Sequence, residues 1–290
     1  MDAFVNQLLA GLAAGGIYAS LGLALVMIYQ ATHHINFAQG EMAMFSTYAA
    51  WTLIAAGLDY WTAFLLTLVF AFGLGFLIER LLVRRMARAP VLSVVVVFIG
   101  LLVIFNSLAG WLFSYSIRVF PSPFPREALH LGPYLVTPHQ LGAVGMTLIV
   151  LALVYAFFRH TAMGLAMRAA AQHPESSRLV GIRVGRMLAL GWGLAAAIGA
   201  IAGMMAAPVV YLDPSMMSGI LLYAFAGALL GGIDNPGGAV LGGFLVGVLE
   251  NLLGAYVIGT EIKLSVALLV IVAVLLLRPT GLFGGRSLRA

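Results

Sequence analysis

The chain has 290 residues, of which 62% are hydrophobic and only 9% charged, against about 25% charged in an ordinary soluble domain. Fifteen basic and ten acidic groups cannot cover a water-facing surface of that size, so lipid is expected to solvate most of it. With no cysteine there is no disulfide, thiolate nucleophile or cysteine-held metal to consider, and the basic residues fall in separate clusters rather than on one face, which speaks against nucleic acid.

A helix needs about 20 apolar residues to cross the hydrocarbon. Nine stretches approach or reach that length: 5–29, 42–57, 61–78, 91–113, 140–158, 187–211, 220–230, 239–256 and 264–277. Residues 1–9 carry no basic residue and no small-residue cleavage signal, so they are expected to open the first membrane helix rather than a removable leader. Stretches 42–57 and 220–230 are short and are expected to be half-helices ending inside the protein. The predicted fold is all-α: one polytopic transmembrane bundle over 1–290, with about eight or nine helices, some broken or short. Twelve of the fifteen basic residues lie at 80–88, 159–186 and 278–289. Placing these clusters inside follows the positive-inside bias. The C-terminus is then cytoplasmic, while Asp59, the proline-rich loop 114–137, Asp213 and Glu261 lie outside. Glycines at small-xxx-small spacing, such as Gly11 and Gly15 or Gly227 and Gly231, are expected to let helix backbones approach closely.

Three segments are too polar or too interrupted for simple spans. Residues 32–41 read THHINFAQGE. Asn36, Gln39 and Glu41 stand there at the start of an apolar helix. At membrane depth their free backbone groups must face protein or a water-filled path, and the helix N-terminus would offer amides to a passing anionic group. An interfacial loop is the alternative, with Glu41 the costly residue to place near lipid. His33 and His34 are not expected to bind metal, because adjacent side chains diverge and no third ligand is evident. Residues 229–243 read LLGGIDNPGGAVLGG, where Asp234, Asn235 and Pro236 interrupt an apolar run. The two breaks together look like the paired broken helices of transporters, although a turn between two short helices accounts for the same residues. Residues 159–186 form a loop, expected to be cytoplasmic, whose amphipathic helix breaks at Pro174. Its composition suits docking of a soluble partner, and a helix lying on anionic lipid is the rival. Glu79 is expected at the interface with incomplete burial, and Glu250 to pair or hydrogen-bond inside the bundle.

At these segments the chain resembles the membrane permease subunits of bacterial branched-chain amino-acid importers of the ATP-binding-cassette class. The resemblance rests on NFAQGE at 36–41, GLAMRAAAQHPESSRLVGI at 164–182, GGIDNPGGAVLGG at 231–243 and RPTGLFG at 278–284. It spans nearly the whole chain, with the four motifs in the family's order. It implies an inner-membrane subunit that pairs with a related permease, a heterodimer being favoured. Two cytoplasmic ATP-binding subunits and a periplasmic substrate-binding protein complete the assembly. The segment 169–182 is similar to the family's coupling loop, so Ala171, Gln172, His173, Glu175, Leu179, Gly181 and Ile182 would contact the ATPase. Relatives often carry an acidic residue or asparagine where Gln172 or His173 stands here. The residues expected to line the path are Asn36, Phe37, Gln39, Glu41, Asp234 and Asn235.

Leucine, isoleucine and valine are the substrates the resemblance implies, and urea or short amides the alternative. The chain has no GxxxxGK[ST] loop, and its one lysine, Lys263, lies in IKLS without the required glycines. ATP hydrolysis is therefore expected in separate subunits, and no cofactor is expected here. A membrane-embedded enzyme would need a constellation such as HExxH or GxSxG, and neither occurs. An ion-coupled carrier would need a relay of membrane carboxylates. Glu41, Asp234 and Glu250 are the candidates, and none has an evident basic partner in a neighbouring span.

Overall fold

The computed structural model describes residues 2–32, 34–86, 89–125, 127–131, 134–259 and 262–284. Among them the chain forms α1 (Asp2–Thr32), α2 (Gln39–Ala55), α3 (Tyr60–Leu81), α4 (Val91–Phe113), α5 (Pro138–His160), α6 (Ala162–Gln172), α7 (Pro174–Leu179), α8 (Val184–Val210), α9 (Met216–Gly231), α10 (Pro236–Leu253) and α11 (Lys263–Leu277). Eleven helices thus stand where about eight or nine are expected. Each of the nine apolar stretches corresponds to one helix, with 42–57, 187–211 and 239–256 running one to three residues past its end, and the two additional ones, α6 and α7, divide the loop 159–186 at Pro174. Proline can open a helix at its first position but cannot continue one, so the break falls there. A two-stranded hairpin, β1 (Leu129–Leu131) and β2 (Tyr134–Val136) with Leu129 opposite Val136, adds a small departure from the all-α expectation.

Among the described residues six helices are long and apolar enough to cross a membrane: α1, α3, α4, α5, α8 and α10, with α3 continuing through a 3-10 turn to Met86 and α10 through a π-helical turn to Val257. α2, α9 and α11, at 17, 16 and 15 residues, fall short. The short character of 42–57 and 220–230 is as expected, and α11, which covers the expected stretch 264–277, is short as well. The chain is a multi-pass membrane protein, and α4 shows how its surface is made. Val94, Phe98, Leu101, Phe105 and Ala109 are buried at helical spacing, whereas Leu92, Val96, Ile99 and Val103 are apolar and exposed on the other side. A helix apolar all round meets protein on one face and lipid on the other.

Contacts divide the chain into two compact units. One comprises Met1–Val26, Pro121–Ile149 and Ser218–Ala290, the other Met27–Phe120 and Val150–Met217. In the first, glycines bring backbones together. A Cβ on Gly247 of α10 would collide with the backbone of Gly15 and Gly11 of α1, and one on Gly227 of α9 with Gly243 and Gly242. The expected small-residue spacing is therefore the seam of α1, α9 and α10. Ser20 and Thr147 hydrogen-bond across α1 and α5 at 2.9 Å. In the second unit α8 is the hub, packing on α3, α2 and α6. Its Trp192 is fully buried, 5.6 Å from the Phe98 ring.

Backbone cannot retreat as a flexible side chain can, so overpacking at Gly247 is severe. Gly247→Val is expected to lower stability by at least about 1–3 kcal/mol in detergent thermal unfolding. Gly73→Ala, where a Cβ meets nothing within 4 Å, is expected to leave the transition in place.

Candidate functional site

The first break is built by side chains that replace a missing helix cap. Ala38 precedes α2 and offers no capping side chain. Asn36 takes over: its Oδ1 accepts from the Ala38 amide at 3.0 Å, and its carbonyl accepts from the Gln39 amide at 3.2 Å. Its Nδ2 donates to Gln39 Oε1 at 3.3 Å, and Gln39 Nε2 donates to the Ala195 carbonyl of α8 at 3.0 Å. Both residues are fully buried. The polar pair therefore carries the backbone's unmet hydrogen bonds into the protein and pins α2 on α8. A Cβ at Gly199 would strike the Gln39 amide, which explains the small residue opposite. Phe37 is half-buried beside the knot, and His33 lies outside the described residues.

Glu41 lies two residues on, about 200° around the helix from Gln39. It is 3% exposed. The Asn106 amide of α4 is within hydrogen-bonding reach, and Asp213 is near enough to act on it electrostatically. Its Oε2 has no partner among the described residues. Around it, Asn106 Nδ2 donates to the Pro214 carbonyl at 2.7 Å, and Asp213 Oδ1 accepts from the amide and hydroxyl of Ser215 at 2.7 and 2.6 Å. Arg118 pairs its backbone with Leu212 and lays its guanidinium 4.4 Å over the Trp51 ring. Asn106 was missed in the sequence, although a lone asparagine in the apolar run of α4 is a recognisable signal.

The second break belongs to the other unit and is the turn between α9 and α10. Asn235 Oδ1 accepts from the Gly238 amide at 3.1 Å, capping α10, whose first residue is Pro236. Asn235 Nδ2 donates to the Phe283 carbonyl at 3.1 Å. In return, the Leu282 and Phe283 amides donate to Leu230 and Gly231 at 2.8 and 3.1 Å. The RPTGLFG segment thus satisfies the last carbonyls of α9, a function invisible in its own composition. Asp234 is exposed beside this turn. The two breaks lie in different units, so Asn36, Gln39 and Glu41 come together and Asp234 and Asn235 do so separately.

In the loop 159–186, Thr161 caps α6 by accepting from Gly164 at 2.9 Å. Gly164, Met167 and Ala170 form the buried side of α6, which packs on α8. Ala171 lines a cavity of about 40 Å³ with Gln30, Arg168 and Met187. Gln172 and His173 are exposed at the junction, and Glu175 pairs with Arg178 at 3.2 Å on α7. Leu179 and Val180 are 90% and 76% exposed. Gly181 follows in the left-handed region at φ 84°, and the Ile182 amide returns to the Ser177 carbonyl at 2.9 Å. An apolar tip thus stands on a turn that only glycine takes without strain.

Of two further buried carboxylates, Glu79 differs from expectation, and Glu250 pairs inside the bundle as expected but with a partner the sequence did not reveal. Glu79 is 1% exposed rather than partly solvated, because Arg84, one turn beyond the adjacent Arg80, reaches back to it at 2.9 Å. Glu250 does have a basic partner in a neighbouring helix: Lys263 Nζ of α11 lies 3.5 Å away. Tyr18 of α1 also donates to Glu250 at 2.7 Å and stacks on Tyr223 of α9 at 4.8 Å. One carboxylate therefore ties α1, α10 and α11, and the Tyr18 ring adds α9. The sequence hides this pairing because α10 and α11 are separated by a π-helical turn at Gly254–Ile258 and the residues after it.

The profile of the family described as branched-chain amino acid transport system / permease component matches residues 7–275. The chain belongs to that permease family. The permease is 30% identical over 298 residues to the high-affinity branched-chain amino acid transport system permease protein LivH of Salmonella typhimurium, covering 97% of this chain and 96% of the relative. It is 30% identical over 297 residues to BraD of Pseudomonas aeruginosa, again covering 97% and 96%. A probable branched-chain amino acid transport permease protein LivH of Methanocaldococcus jannaschii is 26% identical over 282 residues, covering 91% and 87%. Among solved structures, PsaBC from Streptococcus pneumoniae in complex with Fab aligns with a TM-score of 0.48 at 12% identity, covering 93% of this permease and 90% of that chain.

Removing one member of a buried ion pair strands the other. Lys263→Met is expected to destabilise the permease by about 1–3 kcal/mol, less than a fully buried pair would cost because the lysine keeps some solvent contact. The double variant Lys263→Met/Glu250→Gln is expected to recover at least half of that loss in thermal unfolding, whereas additive losses would deny the coupling.

Proposed function

We propose that this permease is the membrane subunit of an ATP-binding-cassette importer for leucine, isoleucine and valine. It pairs with a second, related permease and with two cytoplasmic ATP-binding subunits, and it receives cargo from a periplasmic binding protein. The subunit resides in the bacterial inner membrane as one permease domain. Residues 159–186 and the C-terminus face the cytoplasm, and loop 114–137 faces outside. It catalyses no covalent chemistry and needs no cofactor of its own.

The observation that carries this reading is the shape of residues 159–186. A membrane protein working alone has no use for an exposed apolar tip on a polar, charged loop, because exposing Leu179 and Val180 to water is unfavourable. A protein partner that covers them removes that cost. The tip sits on α7, α7 continues α6, and the inner side of α6 packs on α8. A push delivered at Leu179, Gly181 and Ile182, with Ala171, Gln172, His173 and Glu175 completing the contact, is thus passed to α8. Through Gln39 and Ala195 it is passed from α8 to α2. That chain of packed elements gives ATP-driven closure of the partners a mechanical route to the start of α2. The names of the relatives supply the substrate class.

Of the residues expected to line the path, Glu41 is proposed to face it beside Phe37, with Asn36 and Gln39 holding the start of α2; a separate role is proposed for Asp234 and Asn235. Asn235 spends both ends of its amide on α10 and the 278–284 segment, so its part is to hold the turn that presents Asp234. The site need not bind tightly, because selection belongs to the binding protein and a deep well would slow release.

The test is ATP-dependent uptake of radiolabelled leucine by proteoliposomes holding the complete importer. Leu179→Asp and Gly181→Val are expected to lower uptake by about 10-fold or more and to weaken co-purification of the ATP-binding subunits, since truncating an interface anchor costs about 2 kcal/mol or more. Uptake by the permease alone, driven by a proton or sodium gradient and unchanged by these variants, would overturn the reading in favour of an ion-coupled carrier.

A further inference from the structure

We propose that Glu41 is the group that receives the ammonium of the amino acid in transit. The inference rests on the path reading above and assigns a chemical role within it. Three glutamates are buried among the described residues, and two of them have cations: Glu79 has Arg84 at 2.9 Å and Glu250 has Lys263 at 3.5 Å. Glu41 is as buried as they are, and no cation pairs with it among the described residues. The ionisable group that acts on it is another carboxylate, Asp213. Its Oε2 makes no hydrogen bond to any described residue.

A carboxylate taken out of water needs a proton or a cation to compensate it. The helix N-terminus helps, since Glu41 lies in the first turn of α2, but this backbone field leaves Oε2 without a donor. A metal ion is a poor match: no group of three His, Cys, Asp or Glu side chains gathers among the described residues. A compact cation that carries its own donors fits better. The ammonium of an α-amino acid has three N–H groups, and Glu41 offers it an uncommitted oxygen, with a second carboxylate, Asp213, near enough to act on the same place.

The same face of α2 continues to Tyr48, seven residues on, where the character changes. Tyr48 is fully buried against the Phe113 ring at 4.5 Å, and its hydroxyl is unpartnered among the described residues. Asp213, and after it Arg118, act on it. Two turns of helix, ~10 Å, separate the two residues, so the acidic setting at Glu41 gives way to an aromatic one along the same face. An aliphatic side chain adds no demand for charge there.

The rival is a permanently protonated Glu41 with a structural role. Glutamine is the isostere of that neutral form, so it separates the two. In proteoliposomes holding the complete importer, Glu41→Gln is expected to lower leucine uptake by ~10-fold or more, the value of a lost charged hydrogen bond. ATP hydrolysis stimulated by the binding protein should stay within about twofold, because the loop 159–186 is untouched. Uptake by Glu41→Gln equal to that of the unaltered importer would overturn the proposal, and so would equal loss of uptake and hydrolysis in an assembled complex. Should Glu41→Gln fail to assemble, Glu41→Asp decides: a raised KM for leucine with unchanged hydrolysis supports the ammonium role, and an unchanged KM overturns it. If the unaltered importer moves urea and not leucine, the substrate reading and this inference fall together, since such a cargo carries no ammonium. Leucine uptake that survives in Glu41→Gln leaves the substrate reading standing and removes only this inference.

Discussion

Inside hydrocarbon a peptide group has no water to turn to, and every interruption of a helix must be repaired by protein. That constraint explains the otherwise odd distribution of polar residues in this chain. Where α1 gives way to α2, Asn36 and Gln39 supply the donors and acceptors that the backbone lacks, ending on the Ala195 carbonyl. Where α9 gives way to α10, Asn235 caps one helix, while the amides of Leu282 and Phe283 satisfy the carbonyls of the other. Neither repair needs a charge. Neutral amides can meet a broken backbone in low dielectric at a fraction of the desolvation cost of an ion, which is why each break is centred on asparagine.

Once the backbone is satisfied, apolar burial gains little between helices, since lipid is as apolar as leucine. Close approach has to supply the attraction, and the glycines allow it. α10 meets α1 where Gly247 faces Gly11 and Gly15, and it meets α9 where Gly242 and Gly243 face Gly227. Apolar residues are left on the outside as well, as on α4, where Leu92 and Val103 are exposed. The Glu250 cluster adds specificity to this seam: a carboxylate that must find Tyr18 and Lys263 tolerates few alternative registers of α1, α10 and α11.

What was legible in the sequence follows from how local each feature is. Apolar length is local, and all nine stretches are helical, with the short character of 42–57 and 220–230 visible in advance. The cap at Asn235 and the break at Pro174 are local as well, since both depend on residues within one turn. The missed features are tertiary. Nothing near Glu250 announces Lys263, thirteen residues on across a turn, and nothing near Glu79 says that Arg84 rather than Arg80 will reach it. The 278–284 segment was recognisable as a motif, yet its use as the cap of α9 depends on a fold that returns it there. Burial decided the remaining cases: a polar residue at the start of an apolar helix can face a path or knit a break, and only packing distinguishes Gln39 from Glu41.

The contrast between those two residues bears on how a transporter can be both rigid and permissive. Gln39 is saturated, with its oxygen and nitrogen committed to Asn36 and Ala195, so it ties α2 to α8 and, on the proposed path, has nothing left to offer cargo. Glu41, about half a helical circumference away, keeps one oxygen uncommitted. A path built only of saturated groups would have nothing to offer a zwitterion that has left water. A path built of several free charges would hold it too long and destabilise the empty protein. One partly satisfied carboxylate on a helix otherwise fixed by neutral hydrogen bonds is a compromise between these limits, and its placement beside the mechanical link to α8 lets motion of that link change its surroundings. On the proposed function, coupling then needs no strong binding, only a site whose neighbours move when the loop 159–186 is pushed.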